Sequence, residues 1–171
     1  MRTSLIALAA ALISATSAGA QTVVIVRHGE KVDTSSDPAL SSAGEARAAA
    51  LAAALRGAGV STVIATPLKR TRSTAQPTAA AAGLTVTSIG FDGGQPTHVA
   101  AVAALARQAP ATATVLVVGH SNTVPEIARA LGDADPQPLT DCDFDRMTVI
   151  QLGAGAPKVV HARYGAPTSA C

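Results

Sequence analysis

The segment TVVIVRHGEK, residues 22–31, joins an apolar run to a cluster of charges. Its first five residues are all β-branched, which is typical of a strand that is buried on both faces of a sheet. Arg27, His28, Gly29, Glu30 and Lys31 then follow without a break. This charged end is either a solvated turn or a functional site at the end of a strand. The second interpretation requires other segments to bring matching chemistry to the same place.

Three further segments have the same strand-like character, at residues 61–65, 84–89 and 114–119. They alternate with segments of helical periodicity, for which we predict helices over residues 42–56, 68–82, 97–108 and 124–131. Ser42 with Glu45 fits a capping box at the first helix, and Thr97 is the expected cap of the third. Pro77 is expected to kink or restart the second helix.

Two late strands, residues 146–152 and 158–164, are separated by a short Gly- and Ala-rich link that suits a hairpin. Strands that alternate with helices predict an α/β fold with a mostly parallel sheet. We therefore expect a three-layer α/β/α sandwich with an antiparallel edge near the C-terminus.

The N-terminus has the three features of a secretory signal peptide in order. Arg2 supplies the positive region, residues 5–13 the apolar region, and Ala18-Gly19-Ala20 the small-residue cleavage pattern. The apolar run is shorter than the roughly 20 residues that span a bilayer. We predict removal of residues 1–20, a single domain over residues 21–171, and export to the periplasm or the medium without membrane insertion.

Composition narrows the classes of partner and cofactor. The net charge is +2 and aromatic residues make up 2% of the chain, which does not favour binding to nucleic acid. In an exported protein, Cys142 and Cys171 are expected to form a disulfide. Neither cysteine has a second cysteine or a histidine at ligand spacing, so no metal site and no cofactor are predicted. The oligomeric state stays open.

Polar side chains follow the carboxyl end of each of the four predicted parallel strands. They are Arg27, His28 and Glu30 after the first strand, Thr66, Lys69 and Arg70 after the second, Asp92 after the third, and His120, Ser121 and Asn122 after the fourth. Ligands of open α/β sheets bind at this edge. Guanidinium groups and helix N-termini are the usual receptors for phosphate. The sequence therefore predicts an anion site, most naturally for phosphate.

Four motifs also resemble those of the histidine phosphatase superfamily, which is also called phosphoglycerate mutase-like. The motifs are VRHGEK, LSSAGEARAAALA, ATPLKRTRSTA and VVGHSNTVPEI. They occur in the family's order between residue 22 and about residue 131, and they are most similar to its small, single-domain phosphatase branch. The R-H-G motif alone is a weak signal, but the combination is specific. The segment after Gly132 carries little of the resemblance.

The resemblance implies roles for four residues. His28 would attack phosphorus in line and hold the phosphoryl group as phosphohistidine until water displaces it. Arg27 and Arg70 would bind the non-bridging oxygens, and a protonated His120 would donate a further hydrogen bond. These roles suit phosphoryl transfer, which depends on positioning and on charge around the equatorial oxygens. Arg72 is two residues from Arg70 and would face elsewhere on a helix.

The general acid that protonates the leaving oxygen is not evident from the sequence. Ser121 occupies the position where the phytase-like branch has an aspartate. Glu30, beside the nucleophile, is the preferred candidate, and Asp92 is the alternative; a reaction without an acid stays open for acidic leaving groups. Asp92 and Asn122 are also predicted to bind substrate, although Asp92 also fits a simple turn and Asn122 a helix cap.

The leading hypothesis is an exported, metal-independent histidine acid-type phosphatase. It would hydrolyse a phosphomonoester or phosphoramidate, with a small phosphorylated molecule or a phosphoprotein as substrate. The main alternative is a non-catalytic phosphate-binding protein on the same fold, which the missing acid motivates. A mutase is disfavoured because the chain lacks room for the insertions that surround a phosphosugar acid. An esterase using Ser121 is disfavoured because no G-x-S-x-G elbow is present.

Overall fold

The computed structural model describes residues 19–168. The predicted signal peptide falls almost wholly on residues 1–18, and Cys171 of the predicted disulfide also lies outside the described residues. Both therefore stay predictions.

Strands and helices alternate along the described chain, which ends in a hairpin. The strands are β1 (Gln21–Arg27), β2 (Val60–Ala65), β3 (Thr87–Ser88), β4 (Thr114–Gly119), β5 (Arg146–Leu152) and β6 (Lys158–Arg163). The helices are α1 (Ser42–Ala54), α2 (Lys69–Ala81), α3 (Gly94–Arg107) and α4 (Val124–Ala130). Within residues 19–168, none of these helices has the length and apolar character needed to cross a membrane.

The six strands form one sheet in the order β3-β2-β4-β1-β5-β6. The pairs β2–β3, β2–β4 and β1–β4 are parallel, whereas β1–β5 and β5–β6 are antiparallel. This topology confirms the predicted mostly parallel sheet with an antiparallel edge near the C-terminus. It also makes β1 and β4 neighbours at the centre of the sheet, so their carboxyl ends meet.

Side chains of the central strands alternate between two apolar layers. Along β1, Val23 and Ile25 pack in one layer with residues of α3 and α4, and Val24 and Val26 pack in the other with residues of α1 and α2. Consecutive side chains of a strand point to opposite faces, so a fully buried strand must be apolar at every position. This explains the unbroken β-branched run at residues 22–26 and gives the three layers expected from the sequence.

Two predicted helix caps differ from the structure, and α2 does not restart at Pro77. The cap of α1 is Ser41 rather than Ser42, because its hydroxyl oxygen accepts a hydrogen bond from the Gly44 N–H. Helix α3 begins at Gly94, and the Thr97 hydroxyl donates to the Gly93 carbonyl inside the first turn instead of capping it. Helix α2 continues through Pro77. Its buried face stabilises the helix despite the one backbone hydrogen bond that proline removes.

The third strand is also shorter than expected. Residues 84–89 were predicted as a strand, but only Thr87–Ser88 pair with β2. This segment lies at the edge of the sheet, where only one neighbour is available for backbone pairing. Its β-branched composition therefore fits the sheet without specifying a long ladder.

Candidate active site

The two central parallel strands bring His28 and His120 together. Arg27 is paired in register with Gly119, so each histidine is the first residue beyond its strand. The His28 backbone N–H donates to the Gly119 carbonyl oxygen at 3.0 Å. The two imidazole rings lie edge to face, with centroids 5.3 Å apart. Both rings are buried, which makes them the floor of a site at the carboxyl edge of the sheet.

The His28 ring is held with one nitrogen protonated and the other unprotonated. Its Nδ1 lies 2.7 Å from the Gly29 carbonyl oxygen. A carbonyl only accepts hydrogen bonds, so Nδ1 carries the proton and Nε2 keeps its lone pair. Burial lowers the pKa of His28 to about 4, and the positive charges of Arg27 and Arg70 add to this effect. The ring is therefore neutral at neutral pH, with Nε2 available as a nucleophile.

The structure corrects the expectation that His120 is protonated. Burial, followed by the neighbouring His28 and Arg70, lowers the pKa of His120 to about 3, so its ring is neutral in the free protein. Its Nε2 lies 3.1 Å from the buried Thr66 hydroxyl oxygen, and its backbone N–H donates to Thr123 Oγ1 at 2.9 Å. These contacts fix the orientation of the loop between β4 and α4. A further donor to an anion is therefore a neutral imidazole.

Arg27 at the end of β1 is buried but incompletely paired. Nη1 donates to the Thr140 carbonyl at 2.6 Å, and Nη2 lies 3.4 Å from a carboxylate oxygen of Asp141. The guanidinium carbon lies 4.1 Å from the centroid of the Phe144 ring. Its Nε is buried and has no hydrogen-bond partner within residues 19–168. Burial lowers the pKa of Arg27, and the charge of Asp141 opposes that effect.

Arg70 lies in the first turn of α2, and its hydrogen-bond donors are also incompletely paired. Nη1 makes a 3.4 Å hydrogen bond to the Ser36 carbonyl and lies 3.9 Å from Asp37 Oδ1. Its Nε is buried without a hydrogen-bond partner in the described part of the chain. Because its charge acts on both imidazoles, Arg70 belongs to the same electrostatic environment as His28 and His120. Two cations with spare donors thus flank two neutral rings.

The turn after β1 is held against α1 and α2 by close backbone contacts. A Cβ at Gly44 would collide with the Glu30 carbonyl oxygen, and one at Gly29 would lie 2.9 Å from the Gly44 carbonyl oxygen. The Gly29 N–H donates to Thr74 Oγ1 at 2.9 Å. The glycines allow α1 to approach the turn closely, and this approach fixes the backbone on which His28 stands.

Glu30 is placed beside His28 in sequence, but its carboxylate is bound by Arg47 of α1. Arg47 Nε lies 2.9 Å from both carboxylate oxygens, and Nη2 lies 2.5 Å from Oε1. Arg47 Nη1 also donates to the carbonyl oxygens of Tyr164 and Ala166. The pair therefore joins the turn after β1 to α1 and to the C-terminal segment. Both Glu30 carboxylate oxygens are therefore engaged by the scaffold.

The other two predicted binding residues lie at the rim. Asp92 is exposed in the turn before α3, next to Phe91, whose ring centroid is 5.9 Å from that of His120. Asn122 Nδ2 donates to Gln95 Oε1 at 2.6 Å. The pair Asn122–Gln95 links the loop after β4 to α3. Asn122 therefore has a structural partner, and the substrate-binding role of both residues stays a prediction.

Sequence inspection missed the contribution of Arg47 and of the loop at residues 140–144. No short-range pattern connects Arg47 to Glu30, which lies 17 positions away. The loop carries a visible signal in its acidic run DCDFD, residues 141–145, but this segment lies outside the family motifs. The described residues contain no cluster of three or more metal-ligating side chains.

Comparison with known proteins supports a family assignment. The model of the histidine phosphatase superfamily (branch 1) matches residues 23–89, which contain Arg27, His28 and Arg70. No curated protein is significantly similar to the chain in sequence.

Several solved structures share the fold. The protein histidine phosphatase SixA, complexed with tungstate, is 22% identical, with 83% of this chain and 96% of that chain covered and a TM-score of 0.61. A phosphoserine phosphatase from Entamoeba histolytica is 17% identical, with 85% and 97% covered and a TM-score of 0.60. A mycobacterial glucosyl-3-phosphoglycerate phosphatase is 15% identical, with 85% and 99% covered and a TM-score of 0.63. The family match over residues 23–89 and this shared fold support assignment of the chain to the histidine phosphatase superfamily.

Proposed function

We propose that the protein is a metal-independent phosphohydrolase that acts through a phosphohistidine on His28. One observation carries the proposal: a neutral, buried imidazole with an available Nε2 lies beside two guanidiniums whose buried Nε groups lack partners within residues 19–168. Buried donors without partners are unfavourable in the free protein. A phosphoryl group supplies the oxygens that satisfy them.

In this reaction His28 Nε2 attacks phosphorus and displaces the leaving oxygen. Arg27 and Arg70 bind the equatorial oxygens, where negative charge is concentrated in the transition state. His120 contributes a neutral N–H donor, and a bound phosphoryl dianion favours its protonation because opposite charges attract. Water then attacks the phosphohistidine and releases phosphate.

Two aromatic side chains border the proposed site. Both phenylalanines of the chain lie near the histidine pair, with Phe144 6.1 Å from His28 and Phe91 5.9 Å from His120, measured between ring centroids. A phosphomonoester or a phosphoramidate on a small molecule or a protein fits this arrangement. The similarity to the protein histidine phosphatase SixA supports a phosphorylated protein as one such substrate.

The test is release of phosphate from p-nitrophenyl phosphate by the purified protein in EDTA. His28→Ala is the catalytic variant, and His161→Ala, at an exposed position on β6, is the matched control. We expect turnover in the parent and in the control, with loss of at least a thousandfold in His28→Ala. A rapidly quenched reaction should also carry a phosphoryl group on the peptide that contains His28.

The alternative is a non-catalytic phosphate-binding protein on the same fold. Folded parent protein that binds inorganic phosphate but shows no turnover at any pH between 4 and 9 would support this alternative. Turnover that EDTA abolishes would instead contradict the metal-independent mechanism.

We also propose that the protein is exported, on the basis of the N-terminal signal pattern. N-terminal sequencing of protein recovered from the periplasm or the medium should begin near Gln21. Recovery only from the cytoplasm, with residues 1–20 retained, would contradict export.

A further inference from the structure

The loop at residues 140–144 forms one wall of the site. Thr140 and Asp141 contact the Arg27 guanidinium, and Phe144 lies against both Arg27 and His28. The loop is held at several other points. Asp143 accepts hydrogen bonds from the backbone N–H and hydroxyl of Thr140 and from Arg146 Nε. A loop anchored in this way presents the Asp141 carboxylate at a defined position beside the phosphate-binding guanidinium.

The stereochemistry of displacement determines where a proton donor must lie. In an in-line reaction the leaving oxygen is opposite the nucleophile. His28 is 4% exposed and forms the floor of the site, so the leaving oxygen faces the solvent. The donor must therefore lie at the rim. The Asp141 side chain is 94% exposed, which places it at the rim, and its Oδ1 lies 3.4 Å from Arg27 Nη2. It therefore contacts the guanidinium that is proposed to bind phosphate.

The other nearby carboxylates are committed to structural partners. Glu30 is bound by Arg47, and Asp37 Oδ1 accepts the Lys69 N–H at the start of α2. Asp143 accepts three hydrogen bonds within its loop, which together hold the pKa of its carboxyl below the usual range. Asp92 lies on the Phe91 side of the rim, and within residues 19–168 it makes no hydrogen bond or ion pair with either guanidinium.

From this geometry we propose that Asp141 is the general acid of the phosphatase reaction, a step that rests on the proposed function. The phosphoryl group takes over Nη2 of Arg27, and Asp141 then lies beside an anion instead of a cation. As His28 Nε2 forms its bond to phosphorus, the phosphorus–oxygen bond breaks and the leaving oxygen takes the Asp141 proton.

The same residue completes the second half of the reaction. Water attacks phosphorus, the phosphorus–nitrogen bond breaks, and its electron pair returns to His28 Nε2. The Asp141 carboxylate accepts the proton that the water loses, which restores the acid for the next cycle. General acid–base assistance of this kind contributes roughly 10²–10⁴-fold to a rate.

The test compares two leaving groups in the full-length protein and in Asp141→Asn. p-Nitrophenolate is a weak base and leaves without taking up a proton. The alkoxide that would leave from glycerol 2-phosphate is a strong base and needs one. We expect Asp141→Asn to lower kcat/KM for glycerol 2-phosphate about a hundredfold or more and for p-nitrophenyl phosphate less than about tenfold. The basic limb of the pH–rate profile for the alkyl substrate should also disappear.

Asp135→Asn is the matched control, because it removes one exposed negative charge from the same connection between α4 and β5. It should leave both rates unchanged. Equal losses of kcat/KM on both substrates in Asp141→Asn would show that Asp141 acts only as a partner of Arg27, which would overturn the proposal. A gain in kcat/KM on both substrates would also overturn it. A selective loss in Asp92→Asn instead would assign the acid to Asp92. A parent that hydrolyses only the aryl phosphate has no working acid, and a parent that hydrolyses neither contradicts the proposed function itself.

Discussion

Arg27 and Arg47 are equally buried, and their side chains are each 4% exposed, yet their surroundings differ. Arg47 is paired with the largely buried Glu30 carboxylate and with two backbone carbonyl oxygens. Arg27 has one backbone carbonyl, a 3.4 Å contact to an exposed carboxylate, and an Nε without a partner among the described residues. One guanidinium is satisfied by the fold, whereas the other keeps donors available.

The pKa values of the two residues move in opposite directions. Burial disfavours the charge of both, but at Arg47 the hydrogen bonds and charge of Glu30 outweigh it and raise the pKa. At Arg27 burial dominates and lowers the pKa. A buried cation whose charge is not compensated is costly to the fold. Such a residue indicates a function that uses the charge, so Arg27 marks the site and Arg47 marks the scaffold around it.

The largest effect that separates the two residues is on activity. Arg27→Met removes a cation that we propose binds the phosphoryl oxygens, and loss of one such donor is expected to lower kcat by roughly 10²–10³-fold. Because its charge is poorly compensated, we expect the melting temperature to stay close to that of the parent. The measurement is kcat/KM for p-nitrophenyl phosphate beside thermal unfolding. Arg72→Met, at an exposed position on α2, is the control. An Arg27→Met protein with normal turnover but a lowered melting temperature would show that Arg27 serves the fold rather than the site.

The converse effect is expected at Arg47. Arg47→Met leaves the Glu30 carboxylate mostly buried without its partner, which costs about 3 kcal/mol of unfolding free energy. Urea unfolding measures this loss. The double variant Arg47→Met, Glu30→Gln should recover part of it, because no uncompensated charge is then left in place. A single variant as stable as the parent would show that the pair contributes nothing to the fold.

A third effect is on the pH dependence of stability. The pKa of His28 is lowered to about 4 and that of His120 to about 3, first by burial. The unfolded chain binds protons at these rings below about pH 6.5, whereas the folded protein does not until lower pH. Stability is therefore complete above about pH 6.5 and falls as the pH is lowered towards 4.

Unfolding measurements from pH 7 to 4 should show this decline in the parent and a weaker one in His28→Gln. Identical pH profiles in the two proteins would contradict the buried, neutral state of the His28 ring.

Much of the fold could be predicted because its signals are local. The β-branched run at residues 22–26 predicts a buried central strand, and the alternation with helices predicts the parallel sheet. Helix ends were less certain, as Ser41 and Gly94 show, because capping depends on which of several adequate residues reaches the backbone. The extent of β3 depends on its single neighbour in the sheet, which no local pattern encodes.

The candidate site divides in the same way. Arg27, His28, Arg70 and His120 could be found from motifs at strand ends, because the carboxyl ends of parallel strands share one edge. The partner of Glu30 could not be found, because α1 brings Arg47 to it across the structure. The position of Asp141 at the site could not be predicted either, because Asp141 lies far along the chain from His28 and outside the motifs.

The sequence by itself determined the α/β class, the central strand and the four residues with the strongest phosphate chemistry, since each depends on short-range pattern and residue type. Only the tertiary structure decided which charges are paired and which are left available. Pairing depends on distances between side chains from different elements, and burial sets how strongly each charge is felt. For this reason Arg27 and Arg47, which are the same residue type, differ in the folded protein in how completely their guanidiniums are paired.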